Sequence, residues 1–508
     1  MTATASLSLE RLRRDGQAFM EELTREFFLS TAGHKAAAEL QPIYARYADI
    51  LGADALGMTV ELFRAAAPGS EEQRQTRILL EWLVDSLVGR ELAVLDEREL
   101  AWEGTAMIAL PDGSKMQFER APIEMANSVD RDYRLAVEAA RARLLESELT
   151  PIRRERFHRE REIVERLGLA DGYNATWELL SGVSLTALRA QCEQFLRDTQ
   201  AIWDETHPEF VRRVLSIDPS EARRSDALAL FRAHEFDAAF PASAMEAQVQ
   251  RQVREMGVDP FAGGRIRVDT EEREGKRSRA FCAPVRVPEE VYLVLRPHGG
   301  QVDWNTFLHE LGHALHFAYI RPDYPFEYRW LGDNSITESY AMLFDHLMED
   351  AGWLRRYTEL NEKNLRSFLR TAGFEELHFL RRYTAKFIYE THLYGGDVRW
   401  ESLPDLFVST LSEATNFQYF PADAFVDVDA RYYSARYLRA WQLQALLGET
   451  LTERYDEDWW RNPRAGPWLV QSLLSEGQRE LAHEQAKRVS GAELSFAPLV
   501  REIERLLG

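Results

Sequence analysis

Residues 303–320 read DWNTFLHELGHALHFAYI. Phe307, Leu308, Leu311, Ala314, Leu315 and Ala318 recur at three- and four-residue spacing, the period of a helix with a buried face. The same helix carries His309-Glu310-Leu311-Gly312-His313, an HExxH pattern. Residues four apart share a helix face and lie about 6 Å apart along the axis. Both imidazoles therefore reach one zinc ion at about 2.0–2.1 Å. Glu310 is suited to stand beside the metal without ligating it and to take a proton from the attacking water, the role this motif gives it. With 12 histidines in 508 residues, roughly three in a hundred such chains would carry HExxH by chance, so the surroundings decide.

Those surroundings favour a buried helix beside a small sheet. Val291–Leu295 is an apolar run of strand length, ended by Pro297 and Gly299-Gly300. Ile266–Asp269 and Phe281–Val287 are two further β-like runs, and Asp303 is the expected N-cap of the motif helix. Before the composition changes near Asp259, the chain reads as helix almost throughout, as in Leu9–Phe28, Lys35–Leu51, Arg131–Leu145 and Leu185–Glu205. One exception is Thr105–Arg120, where two alternating runs flank Pro111-Asp112-Gly113, a hairpin pattern. The expected fold is mainly α with a small β-sheet beside the HExxH helix. The expected division is a helical N-terminal lobe over 1–255, with its hairpin near 105–120, and a catalytic lobe over 256–508, the two forming one cooperative unit.

Composition narrows the function. A hydrophobic share of 45% supports a sizeable core. Acidic residues exceed basic ones, 83 to 62, and the net charge of −21 disfavours nucleic acid and anionic membranes as partners. Cys192 and Cys282 are the only cysteines, too few for a disulfide framework or a four-cysteine zinc site. The start, MTATASLSLERLRR, lacks the apolar core of a signal peptide, and no apolar run nears the ~20 residues of a membrane span. The reading is a soluble, cytoplasmic protein with no obligate protein partner. The pairs Gly263-Gly264 and Gly299-Gly300 lack a phosphate-loop fingerprint.

A catalytic zinc needs a third protein ligand and an open position. The metzincin pattern would put a histidine at position 319, which is Tyr319. Three successive ligands on one straight helix do not converge easily, so His316 reads as a polar neighbour or a packed core histidine. Glu338 is the better candidate: Asn334 or Ser335 caps a new helix that carries it inward ahead of the apolar run 340–344. Asp333 and Glu327 are rivals from loops, and a glutamate placed only for the helix dipole is the plain alternative for Glu338. His234-Glu235 and His483-Glu484 start like the motif but lack its second histidine and read as surface positions.

The segment HELGHALH, followed by Glu338 at a distance of 25 residues, resembles the gluzincin peptidases of the thimet oligopeptidase and oligoendopeptidase F family. The resemblance is dense over Arg279–Asp345 and thinner over Arg431–Leu443. It implies Glu338 as glutamate ligand and Asp345, seven positions later, as the residue that orients a ligand histidine. It implies that Arg279–Cys282 and the strand Val291–Leu295 flank the substrate, with Val291 and Leu293 as binding residues and an exposed strand edge that pairs with peptide backbone. His298 is a further substrate-contact candidate from its nearness in sequence, and Cys282 reads as a small apolar filler. The tyrosine-rich stretch Asp429–Leu438 is similar to the helix that covers the zinc in that family and in angiotensin-converting enzymes. Tyr437, with Tyr433 second, is the implied donor to the oxyanion. The histidine usual about ten residues earlier is missing, and one residue is inserted before Tyr437. The resemblance also implies two lobes around a deep central channel that admits oligopeptides.

The expectation is thus a zinc oligoendopeptidase with one Zn2+ per chain, held by His309, His313 and Glu338, with Glu310 as base. The alternatives are a metallocarboxypeptidase or dipeptidyl carboxypeptidase on the same scaffold, with Arg436, Arg439 or Gln442 to hold the terminal carboxylate, and an inactive helical peptide-binding protein.

Overall fold

The computed structural model describes residues 7–508. The first six residues of the segment read above as lacking a signal-peptide core lie outside the described residues. Among the described residues the fold is mainly helical, with one two-stranded and one three-stranded sheet. No helix of the described residues is long and apolar enough to cross a membrane. Two compact units divide the chain. One takes its described residues from Met1–Leu87, Glu235–Phe368 and Arg439–Leu499, the other from Val88–His234, Leu369–Leu438 and Val500–Gly508. The single division expected at residue 255 is therefore replaced by interleaved pieces. Most breakpoints fall inside helices, such as Glu71–Thr105 and Glu362–Gly395, where an unbroken apolar period gives no sign of a change of unit.

The first unit holds the larger sheet. Its strands are β3 (Ile266–Asp269), β4 (Phe281–Arg286) and β5 (Glu290–Val294), following β1 (Met107–Ala109) and β2 (Lys115–Gln117) of the other unit in chain order. The spatial order is β3-β5-β4: β5 runs parallel to β3, pairing Ile266 with Val291, and antiparallel to β4, pairing Cys282 with Leu293. Successive strand residues point to opposite faces, and Leu293 and Val294 are both fully buried. Both faces are thus covered, which is why the strand reads as an apolar run rather than an alternation. The first helix, Leu9–Thr31, packs on the sheet through Phe28, whose ring stacks on Tyr292 at 3.9 Å. Ser8 caps that helix by accepting from the Arg11 N–H.

The motif helix spans Gln301–Tyr319 and starts two residues before the expected Asp303. Gly299 and Gly300, both at positive φ, turn the chain into it, a conformation glycine adopts without strain. Asp303 sits in the first turn and accepts from the His298 and Gly299 N–H groups at 2.7 and 2.9 Å. The helix Asn334–Asp345, which follows a short helix over Phe326–Trp330, is capped by Asp333 rather than by Asn334 or Ser335, since the Asp333 carboxylate accepts from the Ser335 N–H.

The second unit contains the hairpin that the sequence predicts, β1 (Met107–Ala109) paired antiparallel with β2 (Lys115–Gln117). Its apolar core gathers Ile108, Phe118, Val137, Leu145 and Leu149. A separate aromatic cluster stacks Trp203 on Phe374 at 5.2 Å and buries two histidines, His207 and His378, each edge-on to Phe417. Burial pushes the His207 imidazole down to about 4 and His378 well below its ordinary value.

Candidate metal centre

The first unit brings together His309, His313 and Glu338. The two imidazoles project from consecutive turns with ring centroids 4.9 Å apart and nearly perpendicular planes. Their Nε2 atoms lie 3.5 and 3.6 Å from one carboxylate oxygen, Glu338 Oε2. Ligands at about 2.0–2.1 Å around a tetrahedral ion stand roughly 3.3–3.4 Å from one another. The two nitrogen-to-oxygen distances exceed that spacing by only tenths of an ångström, and the three donor atoms all lie within 4.8 Å of one another.

Gly312 makes this spacing possible. A Cβ there would stand 2.6 Å from both the Tyr340 carbonyl oxygen and the Ala341 Cα. Only a glycine lets the motif helix lie this close to the helix that carries Glu338.

Both ring Nδ1 atoms are occupied, so the Nε2 atoms remain for a cation. His309 Nδ1 meets Asp345 Oδ2 at 2.8 Å, and His313 Nδ1 meets Thr337 Oγ1 at 2.9 Å. Partners of this kind fix the tautomer and orientation of a metal-binding imidazole. Sequence reasoning missed Thr337; its one available mark was adjacency to Glu338. Asp345 also holds His346 Nδ1 at 2.6 Å through its other oxygen.

The electrostatics point the same way. Burial by itself would lower the His309 imidazole, but the Asp345 and Glu338 carboxylates outweigh it and raise the group to about 10. Burial lowers His313 to about 4. The two carboxylates thus favour positive charge at His309, and a divalent cation answers the same need.

Glu310 lies on the neighbouring face of the helix. Its Oε2 accepts from the Cys282 N–H at 2.8 Å. In an antiparallel ladder alternate residues turn their N–H away from the partner strand, and Cys282 presents its own at the outer edge of β4. Burial raises the Glu310 carboxyl above its ordinary range. The Cys282 thiol is likewise pushed well up by burial, which keeps it neutral.

The other candidates have separate places. Glu327 is fully buried in an ion pair with Arg13 of the first helix, 2.5 Å away. Asp333 caps its helix and accepts from Arg439 Nη2 at 3.2 Å and from the Ala482 N–H at 3.0 Å. Arg439 is thereby buried against Asp333 rather than presented for a terminal carboxylate. His316 is a packed core histidine, stacked on Phe317 and edge-on to Tyr340, with burial lowering it to about 3. The His298 ring is exposed and has no hydrogen bond or ring contact among the described residues.

Val291 and Leu293 do not serve as expected. Their strand is the centre of the sheet, paired on both sides, and both side chains are fully buried. The outer edge next to the cluster belongs to β4.

Tyr433 and Tyr437 lie in the second unit, ring edge to face at 5.0 Å. Tyr437 also packs on Tyr383 at 5.8 Å, a neighbour that sequence reasoning missed. The stretch Asp429–Leu438 is not one helix. Arg431 and Tyr432 are left-handed, and the helix proper starts at Tyr433.

No protein-family model matches the chain, and no curated protein matches it in sequence.

Proposed function

We propose that the protein is a zinc-dependent peptidase that cleaves short peptides internally. The convergence of His309 Nε2, His313 Nε2 and Glu338 Oε2, with Glu310 one residue along the same helix, carries this reading. Two imidazoles and one carboxylate, with a coordination position left over, form a donor set of catalytic zinc sites. When bound, zinc would polarise a peptide carbonyl and make water a stronger acid.

The chain's own residues account for the rest. Asp345 and Thr337 hold the two rings in the orientation that leaves Nε2 for the ion. The Cys282 N–H anchors Glu310 Oε2, which leaves Oε1 to take a proton from the attacking water and return it to the leaving amine. A carboxyl raised by burial suits both halves of that exchange. Both cysteines are free thiols, which suits a cytoplasmic site of action. Of the three residues that would hold a terminal carboxylate in a carboxypeptidase, Arg439 is already engaged by Asp333.

The test pairs metal analysis with quenched-fluorescent peptides of graded length and blocked C-termini, for wild type and Glu310→Gln. One zinc in each protein, with cleavage by wild type alone, is the expected result. No zinc in either protein would overturn the reading, as would cleavage by the variant at the wild-type rate.

A further inference from the structure

The second unit holds a cavity of about 260 Å³ walled by its own residues. Two helix faces of matching pattern form two of the walls. Asp96, Glu99 and Leu100 follow at three- and four-residue spacing on Glu71–Thr105, and Arg153, Arg156 and Phe157 do so on the helix Thr150–Arg166. Each face thus carries two charges of one sign and one apolar side chain, and the signs are opposite. The faces meet in reverse order. Arg156 Nε donates to Asp96 Oδ1 at 2.7 Å, and Arg153 Nη2 is paired with Glu99 Oε1.

Tyr394 closes the third side together with Val428 and Ala430. The Tyr394 hydroxyl donates to the Asp429 carbonyl at 2.8 Å, and the Asp429 N–H donates to the buried Glu390 carboxylate at 2.6 Å. The backbone between Val428 and Ala430 is therefore held by both of its polar groups. Phe157 packs edge-on to the Tyr394 ring at 5.7 Å. A wall fixed in this way has little left to order when a ligand arrives.

The pairing across the cavity leaves one donor and one acceptor over. Arg153 Nε is buried with no acceptor among the described residues. Asp96 Oδ2 takes no hydrogen bond from them either, since Arg156 is held through Oδ1. Burial raises the Glu99 carboxyl above its ordinary range in spite of Arg153, so this wall is poorly solvated, and charge pairs made against it count for more than on an open surface. Leu100 adds an apolar side chain that is 67% exposed.

We propose that this cavity binds a free amino acid with an apolar side chain. Its α-carboxylate meets Arg153 Nε, its α-ammonium meets Asp96 Oδ2, and its side chain lies against Phe157, Leu100 and Val428. One helical turn, about 5 Å, separates the two ion pairs. An ammonium and a carboxylate on one carbon span that gap once hydrogen-bond lengths are added. The volume falls below the roughly 300–1,000 Å³ of pockets for drug-sized ligands, which suits a single amino acid. The site stands apart from the peptidase reading and does not depend on it.

Isothermal titration of the full chain with L-leucine, L-methionine and L-phenylalanine tests the site. At least one is expected to bind with a Kd on the order of 0.1–1 mM, the scale for a ligand of this size. Its amide, which lacks the carboxylate, and its deaminated acid, which lacks the ammonium, are each expected to bind at least about tenfold more weakly, the worth of a charge-assisted hydrogen bond. Ala430→Phe fills the cavity and leaves both ion pairs in place, so it is expected to abolish binding. Arg153→Gln, made together with Glu99→Gln so that no carboxylate is left buried and unpaired, is expected to weaken binding at least about tenfold. Circular dichroism checks that each variant is folded, and Ala430→Phe alone decides the matter if the double variant is not. No binding of any of the three amino acids overturns the proposal. So does an amide or deaminated acid that binds as tightly as its parent, and so does binding that Ala430→Phe leaves unchanged.

Discussion

Replacing Gly312 by alanine sets two effects of opposite sign against each other. In the interior of a helix the change by itself adds about 1 kcal/mol of stability, because glycine has more backbone freedom to lose. Here the new methyl would stand 2.6 Å from the Tyr340 carbonyl oxygen and the Ala341 Cα, both backbone atoms. Reaching ordinary contact at about 3.4 Å requires the two helices to part by about 0.8 Å. Overpacking of this kind typically costs about 1–3 kcal/mol, so the net change is expected to be a loss of up to about 2 kcal/mol. The same parting would carry Glu338 Oε2 from 3.5 and 3.6 Å to beyond about 4 Å from the two Nε2 atoms, outside the span of a tetrahedral ion. Zinc affinity is expected to fall at least about tenfold, the scale on which disturbed ligand support is felt. Denaturant unfolding with chelator present reads the first quantity, and competition with a chromogenic chelator reads the second. A variant more stable by about 1 kcal/mol that binds zinc as tightly as wild type would refute the close-packing argument.

Glu310→Gln is expected to keep zinc and slow cleavage by about 10²–10⁴-fold, the range for loss of a general base, as measured in single-turnover assays. Asp345→Asn and Thr337→Val each remove an Nδ1 partner, and chelator competition is expected to give a roughly 10–100-fold weaker affinity for zinc. Folding stability is expected to drop in acid because His207 titrates near 4 when folded and near 6.5 when unfolded. The unfolded chain binds the extra proton first, so stability is full above pH 6.5 and falls as the pH goes down to about 4. The loss is up to about 3 kcal/mol at 1.36 kcal/mol per unit. His207→Phe is expected to flatten that slope in urea titrations at a series of pH values, and an unchanged slope would rule out His207 as its source.

The strands at Ile266, Phe281 and Val291 were legible because β-branched runs end at glycine and proline, and the structure begins or ends them within a residue. Strand order was not legible. Nothing in Val-Tyr-Leu-Val-Leu tells a central strand from an edge, and the assignment of Val291 and Leu293 to substrate failed there. The histidine pair followed from helical spacing alone. The choice of Glu338 over Asp333 and Glu327 could not, since all three are acidic and follow the motif closely. What separates them is arginines remote in sequence: Arg13 takes Glu327 and Arg439 takes Asp333, which leaves Glu338 facing the imidazoles. The N-cap of the motif helix was misjudged at Asp303 because its carboxylate serves the loop N–H groups before the helix, a use that looks the same in sequence. The tyrosine segment was read as continuous helix because Arg431 and Tyr432 carry no mark of the left-handed conformation that interrupts it.

The clamp on Asp333 has a bearing on biosynthesis. Arg439 and the Ala482 N–H both reach back to the cap of the helix that bears Glu338. A ribosome making about 5–20 residues per second needs roughly 8–34 s to go from the second histidine to Ala482, and longer to clear it from the exit tunnel. Throughout that interval the histidine pair exists in the nascent chain while the support of its third partner does not. On the proposed zinc reading, metal capture would belong to the end of translation, and a chain cut short before Ala482 lacks the clamp that steadies Glu338.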